Sequence, residues 1–224
     1  MRIKLEYSGL GTVFMFFIVY QLMIAPESIL TIINNTMVSK LLESTMLILA
    51  TLFIFYTYNY VNQINYWQGG LFKKREHSWL PLVISIWILL FLQWGDSFLI
   101  AKGIISNTQN QTELLKKFDD YPIYMLISGN VMAPFIEELI FRGLFYKLLF
   151  NAIDADQFKK RVLFLIIFLN TIIFAVPHLS SVSFDFIPYM LIAIIFSINF
   201  IYYKNIEIPI VLHMMNNLIA SFLV

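Results

Sequence analysis

Seven long apolar stretches follow one another along this chain, and short polar segments separate them. A transmembrane helix needs about 20 mostly apolar residues, with a range of roughly 17–25. The stretches lie near 9–25, 41–60, 79–100, 121–150, 161–178, 184–203 and 206–224. The pattern predicts an all-α, polytopic membrane bundle of seven to eight transmembrane helices. The short connections leave no room for a soluble domain, so residues 1–224 are predicted to form a single membrane domain.

The composition agrees with a membrane protein and excludes several kinds of site. Hydrophobic residues make up 59% of the 224 residues and charged residues 13%, whereas soluble domains average about 25% charged residues. The chain has no Cys, which excludes disulfides, thiol nucleophiles and Cys-based metal sites. The net charge of +1 gives no indication of nucleic-acid binding. The abundance of Ile, Phe, Asn and Lys is typical of an AT-rich bacterial genome.

The distribution of basic residues favours an odd number of crossings and a cytoplasmic N-terminus. The first apolar stretch lacks a clear cleavage site and is interpreted as a retained span. The stretch 121–150 is too long for one straight crossing, and Pro134 predicts a kinked or re-entrant element there. With seven crossings, nine basic residues face the cytoplasm and four face outward, in agreement with the positive-inside rule. The cytoplasmic set is Arg2, Lys4, Lys73, Lys74, Arg75, Lys159, Lys160, Arg161 and Lys204, and the outer set is Lys40, Lys102, Lys116 and Lys117.

Three charged residues lie within six consecutive positions of the fourth apolar stretch, namely Glu137, Glu138 and Arg142. A single charge at mid-bilayer costs about 2.5–3.5 kcal/mol, so such residues are candidates for a functional site. Glu138 and Arg142 have the i, i+4 spacing of a pair on one helix face. Glu137 is rotated by about 100° from Glu138, so one carboxylate can pair with Arg142 while the other faces a different surface and suits a general base or acid. The structural alternative is a buried ion pair beside one Glu at a helix end.

Two further polar groups follow at the fifth and seventh stretches. Phe174 and His178 are four residues apart, and a lone His in this position is more often structural than catalytic. His213 and Asn217 are also four residues apart, with Asn216 beside them, and these side chains offer donors to a developing oxyanion. The alternative for this group is polar contact between membrane helices. The ordered set of three groups favours a functional site over either alternative.

The three groups resemble the motifs of the CPBP family of intramembrane proteases, also called the Abi or CAAX-protease family. The family motifs EExxxR, FxxxH and HxxxN/D correspond to Glu137-Glu138…Arg142, Phe174…His178 and His213…Asn217. The motifs are complete and in the family's order. The resemblance covers roughly residues 120–224, and the N-terminal half is similar only in being hydrophobic and multi-spanning.

The resemblance implies hydrolysis of a peptide bond of a membrane-associated peptide or protein. Glu137 is then expected to activate the attacking water with help from His178, while His213 and Asn217 stabilise the oxyanion. Glu138 and Arg142 are expected to support the site. Bacterial relatives imply a role in peptide-pheromone maturation or bacteriocin self-immunity, and prenylated CAAX substrates are not expected from a bacterial source.

The cofactor and the activity each have a second interpretation. We expect no metal, because both His residues have other roles and the HExxH pattern is missing. If zinc is bound, Glu137, His178 and His213 are the expected ligands. A catalytically idle relative that acts as a membrane-bound regulator or immunity partner is the alternative function, and a proton-coupled transporter is a third.

Two expectations concern where the three His residues lie relative to the membrane and the solvent. His77 lies in the basic segment Lys73–Ser78 and is expected to be solvated. His178 is expected near the outer membrane surface and His213 about 10 Å in from the inner one, at 1.5 Å per residue. The two side chains then meet only if helices tilt or Pro177 and Pro209 shift the helix ends.

Overall fold

The computed structural model describes residues 7–25, 30, 36–63, 78–152, 160–178 and 186–223, and all regular structure within them is helical. The basic segment with His77, and the basic residues before residue 7, lie outside the described residues. The helices are α1 (Tyr7–Ile24), α2 (Thr36–Gln63), α3 (Leu80–Ala101), α4 (Gln109–Asp120), α5 (122–152), α6 (Lys160–Ala175), α7 (Phe186–Tyr203) and α8 (Glu207–Leu223).

Seven of these helices coincide with the seven predicted apolar stretches. Within the described residues, five helices are long and apolar enough to cross a membrane: Thr36–Asn62, Leu80–Ala101, Pro122–Leu149, Arg161–His178 and Phe186–Tyr203. The helices α1 and α8 are apolar but shorter. The prediction of an all-α, multi-pass membrane protein is confirmed. The number of crossings and the side of the N-terminus stay predictions.

The chain divides into two compact units. The first unit comprises Met1–Trp67 and Lys117–Ala155, and the second comprises Gln68–Lys116 and Asp156–Val224. Helices α1, α2 and α5 therefore belong to the first unit, and α3, α6, α7 and α8 to the second. The prediction of a single membrane domain remains untested, and each unit is described by itself below.

Aromatic side chains join α1 to both of its neighbours in the first unit. The Phe16 ring stacks on the rings of Tyr56 and Tyr60 from α2, with centroid distances of 6.0 and 5.5 Å. The Phe17 ring lies 5.8 Å from that of Phe141 in α5. Offset stacking of this kind adds about 0.5–1.5 kcal/mol per pair to the packing. These contacts hold α1 against the segment of α5 that carries the acidic motif.

Helix α5 continues through Pro134 instead of breaking there. It contains two wider, π-helical segments, one on each side of the proline. The π segments are Ser128–Met132 and Leu139–Leu144, on either side of the α-helical segment Ala133–Glu138. Proline has no amide hydrogen to donate and crowds the turn before it. The helix adapts by i→i+5 bonding just before the proline, where the Ala133 amide donates to the Ser128 carbonyl. The predicted irregularity is therefore a widened helix, a feature that often occurs at functional sites.

The second π segment packs closely against the last turn of α2. A β-carbon added at Gly143 would lie 3.1 Å from both methyl groups of Val61. One residue pair thus sets the separation of the two helices, and the Lys147 ammonium group donates to the Val61 carbonyl at 2.6 Å. An added β-carbon at Gly143 would be tighter than ordinary van der Waals contact, so the buried Val61 side chain would have to shift by a few tenths of an ångström.

Replacing Gly143 by Ala is expected to lower the free energy of unfolding by about 1–2 kcal/mol, since overpacking outweighs the gain in helix propensity. Thermal unfolding in detergent measures this. The double variant Gly143→Ala/Val61→Ala should recover most of the loss. Gly95→Ala is the matched control, because nothing lies within 4 Å of its added β-carbon. Equal melting temperatures for Gly143→Ala and wild type would contradict the prediction.

The second unit combines an apolar cluster with polar contacts between its helices. Leu89, Ile192, Phe196 and Leu212 from α3, α7 and α8 form the buried cluster. Along α7, polar side chains bond to both neighbouring helices: Asn199 donates to Ser85 of α3 at 2.7 Å and Ser197 donates to Asn170 of α6 at 3.2 Å. Such bonds fix the rotation and height of helices that are apolar on every side.

Candidate active site

Glu138 and Arg142 form the ion pair that their spacing predicts. An Nη1 hydrogen of Arg142 is donated to Oε1 of Glu138 at 2.9 Å, and both side chains have no exposed surface. Glu138 ends the short α-helical segment and Arg142 lies in the following π segment. Removing either partner of so deeply buried an ion pair would leave an uncompensated charge and lower the stability of the protein.

Glu137 has different surroundings from its neighbour. Its side chain is only partly buried, and its Oε1 accepts a hydrogen bond of 3.0 Å from the Tyr20 hydroxyl of α1. Tyr20 itself is buried, with 5% of its surface exposed. A neutral hydroxyl orients a carboxylate without cancelling its charge. Of the two glutamates, Glu137 therefore has the surroundings that suit a general base.

One phenylalanine ring contacts both of the motif histidines, His178 and His213. The Phe174 ring lies 5.1 Å from the His178 ring and 5.7 Å from the His213 ring, edge-on to the latter. Phe196 covers His213 at 4.8 Å between ring centroids. The expected depths of the two histidines stay a prediction. Phe174 precedes His178 by one turn, and its ring also contacts His213.

The tautomer of His178 follows from its hydrogen bond. His178 ends a 3₁₀ turn, Val176–His178, and its Nδ1 lies 2.9 Å from the Phe174 carbonyl oxygen. A carbonyl oxygen can only accept, so Nδ1 carries the hydrogen in the neutral ring and Nε2 has the lone pair. The Tyr189 ring stacks on the imidazole at 4.9 Å and 25°. The ring is thus held in both rotation and tilt.

The group in α8 contains one buried histidine and two adjacent asparagines. His213 and Asn216 are buried, with 4% and 6% of their surface exposed, and Asn217 is partly buried. The Asn216 Oδ1 accepts a hydrogen bond of 2.9 Å from Nε2 of Gln93 in α3. This contact ties the α8 group to a helix that carries none of the three motifs.

Three partners of motif residues, each within its own unit, were missed by the sequence analysis: Tyr20, Gln93 and Tyr189. The role of Gln93 as a hydrogen-bond partner could have been predicted, because an amide side chain inside an apolar span commonly bonds to another helix. Tyr20 and Tyr189 had none, since the chain contains 12 Tyr and nothing local marks these two. The predicted catalytic roles of Glu137, His178, His213 and Asn217 and the supporting roles of Glu138 and Arg142 remain predictions.

Neither unit by itself supplies a set of metal ligands. Among the described residues of each unit, no three His, Asp or Glu side chains form a group that could hold a metal ion. Glu137 belongs to the first unit, whereas His178 and His213 belong to the second. The cofactor prediction is left untested by this observation.

Comparisons with known proteins match the part of the chain that carries the motifs. The sequence profile of a family described as type II CAAX prenyl endopeptidase Rce1-like matches residues 119–219. The membrane-embedded CAAX protease MroQ of Staphylococcus aureus (strain USA300) is 32% identical over 118 residues, which cover 52% of this chain and 44% of the relative. This chain thus spans less than half the length of that relative. No solved structure matches the chain.

The residues 119–219 contain the acidic pair, both histidines and Asn217 in the order that the motifs require. Over this segment the chain is similar to the Rce1-like family of CAAX endopeptidases, in agreement with the resemblance that its motifs indicate.

Proposed function

We propose that this protein is an intramembrane endopeptidase that hydrolyses a peptide bond of a membrane-associated peptide or protein. The observation that best supports the proposal is the difference between the two adjacent glutamates. Glu138 is neutralised by Arg142 at 2.9 Å, whereas Glu137 is oriented by the Tyr20 hydroxyl at 3.0 Å. A structural ion pair with Arg142 requires only one glutamate, and we assign the second, Glu137, to the chemistry.

In the proposed reaction, Glu137 accepts a proton from water as the water oxygen attacks the carbonyl carbon of the substrate. The new C–O bond gives a tetrahedral intermediate with a negatively charged oxygen. The C–N bond then breaks, and the proton held by Glu137 passes to the leaving nitrogen. General-base catalysis of this kind contributes about 10²–10⁴-fold to the rate.

His178 is proposed to help orient the attacking water. Because Nδ1 donates to the Phe174 carbonyl oxygen, Nε2 is the ring atom that can accept a hydrogen bond from water. The stacked Tyr189 ring limits rotation of the imidazole. A side chain that is already oriented loses little conformational freedom when the substrate binds.

His213 and Asn217 are proposed to stabilise the oxyanion by donating hydrogen bonds. His213 is buried against Phe174 and Phe196, and hydrogen bonds to a developing charge are strong where water is excluded. We propose that no metal takes part, because the histidines are assigned to these other roles. Pheromone maturation and bacteriocin immunity remain predictions, as does the idle regulator.

The proposal is tested in source cells that lack the gene and are complemented with wild type, Glu137→Ala, His178→Ala or His213→Ala. Chemical labelling of free N-termini in the membrane fraction should reveal cleavage products with wild type and none with the three variants. Glu113→Ala, an exposed glutamate of α4, is the control and should match wild type.

Wild-type products from all three variants at equal protein level would contradict the protease proposal. A phenotype of the gene without any gene-dependent N-terminus would favour the idle regulator. Zinc analysis of the purified proteins tests the metal expectation, and stoichiometric zinc in wild type that is lost in His213→Ala would contradict it.

A further inference from the structure

Gln93 lies outside the segment that matches the protease family, yet it bonds directly to the α8 group. Its Nε2 donates to Oδ1 of Asn216 at 2.9 Å, across 123 positions of sequence. Gln93 is on α3, and residues 119–219 are the matched segment. The contact lies wholly within the second unit.

The bond sets the direction of a short series of amides. A carboxamide has its acceptor oxygen and its donor nitrogen in one plane, on either side of the bond that joins the group to the rest of the side chain. Because the Asn216 oxygen accepts from Gln93, the Asn216 amino group points to the other side, where Nδ2 lies 3.4 Å from Oδ1 of Asn217. The Asn217 oxygen thus faces Asn216, and its amino group is turned away from Asn216.

This direction matters for the chemistry proposed above. An oxyanion is stabilised by N–H donors and is repelled by a carbonyl oxygen at the same place. Rotation of the Asn217 amide by 180° would exchange the positions of its amino group and its carbonyl oxygen. The oxygen and the amino group are nearly the same size, so packing alone cannot select one of the two orientations of the Asn217 amide. The orientation therefore depends on a hydrogen-bond partner.

We propose that Gln93 is a positioning residue that acts through Asn216 to present the amino group of Asn217 to the oxyanion. The inference rests on the proposed function, in which Asn217 is a catalytic donor. A purely structural bond between α3 and α8 would alter stability and leave the catalytic rate unchanged.

The test is a double-mutant cycle on the rate constant for cleavage of a substrate identified by N-terminal labelling. Wild type, Gln93→Met, Asn217→Ala and the double variant are purified and assayed in lipid vesicles. Asn217→Ala should lower kcat about 100-fold, as for loss of one oxyanion donor, and Gln93→Met about tenfold with KM little changed. In the Asn217→Ala background, Gln93→Met should have no further effect, because its action passes through the missing side chain.

A second variant reverses the direction of the series. Gln93→Glu has the same shape but offers an acceptor, so Asn216 and then Asn217 are expected to flip and to place the Asn217 oxygen toward the oxyanion. Its kcat should fall further than that of Gln93→Met. Ser85→Ala is the matched control, since it removes another buried bond of α3, to Asn199 at 2.7 Å, and should lower stability without lowering kcat.

The outcomes separate this inference from the proposed function. If Asn217→Ala keeps the wild-type kcat, the oxyanion role of Asn217 fails and the inference fails with it. If Asn217→Ala is impaired while Gln93→Met multiplies the loss in the double variant, the protease proposal stands and the positioning role of Gln93 is wrong. A wild-type kcat for both Gln93 variants would overturn the inference equally.

Discussion

Replacing Glu137 by Gln is expected to lower kcat for peptide cleavage by at least about 100-fold, the lower end of what general-base catalysis contributes. Gln has the shape of Glu and keeps an oxygen that can accept from the Tyr20 hydroxyl, so the local structure should persist. It cannot accept a proton from water at neutral pH. The loss should therefore be in kcat, with KM and the melting temperature close to those of wild type.

Two further variants show whether this loss is specific. Glu113→Gln makes the same chemical change at an exposed position of α4 and should retain full activity. Tyr20→Phe removes the hydroxyl that orients Glu137 and should give an intermediate loss. A Glu137→Gln variant within a few-fold of wild type would mean that another group removes the proton.

Replacing Glu138 alone by Ala is expected to lower the free energy of unfolding by about 3–5 kcal/mol. The change leaves the Arg142 guanidinium buried without its opposite charge, and neither side chain has any exposed surface. Arg142→Ala should have a similar effect, because it leaves the carboxylate of Glu138 in the same position. Thermal unfolding in detergent and the amount of protein in the membrane measure both losses.

The double variant Glu138→Leu/Arg142→Met is the informative comparison. Removing both charges relieves both desolvation costs, so this variant should be more stable than either single variant. Glu113→Ala is the control, and a surface change of this kind should cost less than about 0.5 kcal/mol. Losses that simply add in the double variant would show that the pair is not coupled as the 2.9 Å contact indicates.

The contacts behind these two predictions differ in whether they could be predicted from the sequence. The i, i+4 spacing of Glu138 and Arg142 was enough to predict their ion pair, because helix geometry brings residues four apart onto one face. The pairing persists although Arg142 lies in a π segment that the sequence analysis did not foresee. The other π segment, Ser128–Met132, lies just before Pro134. The position of this proline could be read from the sequence, but a widened helix in place of a kink or break could not.

The contacts of Glu137 and Asn216 with other helices could not be predicted in this way. Tyr20 and Glu137 are 117 residues apart, and Gln93 and Asn216 are 123 apart. A helix in lipid is apolar both toward its neighbours and toward the bilayer, so its sequence pattern does not reveal which face is turned inward. The polar partner of each motif residue therefore depends on how the helices pack.

The sequence by itself determined the seven apolar helices, the order of the three motifs and the pair of Glu138 with Arg142, because each depends only on composition or on spacing along one helix. Only the tertiary structure decided that Tyr20 bonds to Glu137, that Phe174 contacts both His178 and His213, and that Gln93 donates to Asn216 of α8. These contacts depend on the rotation and depth of separate helices, which are fixed by side-chain packing and hydrogen bonds between helices.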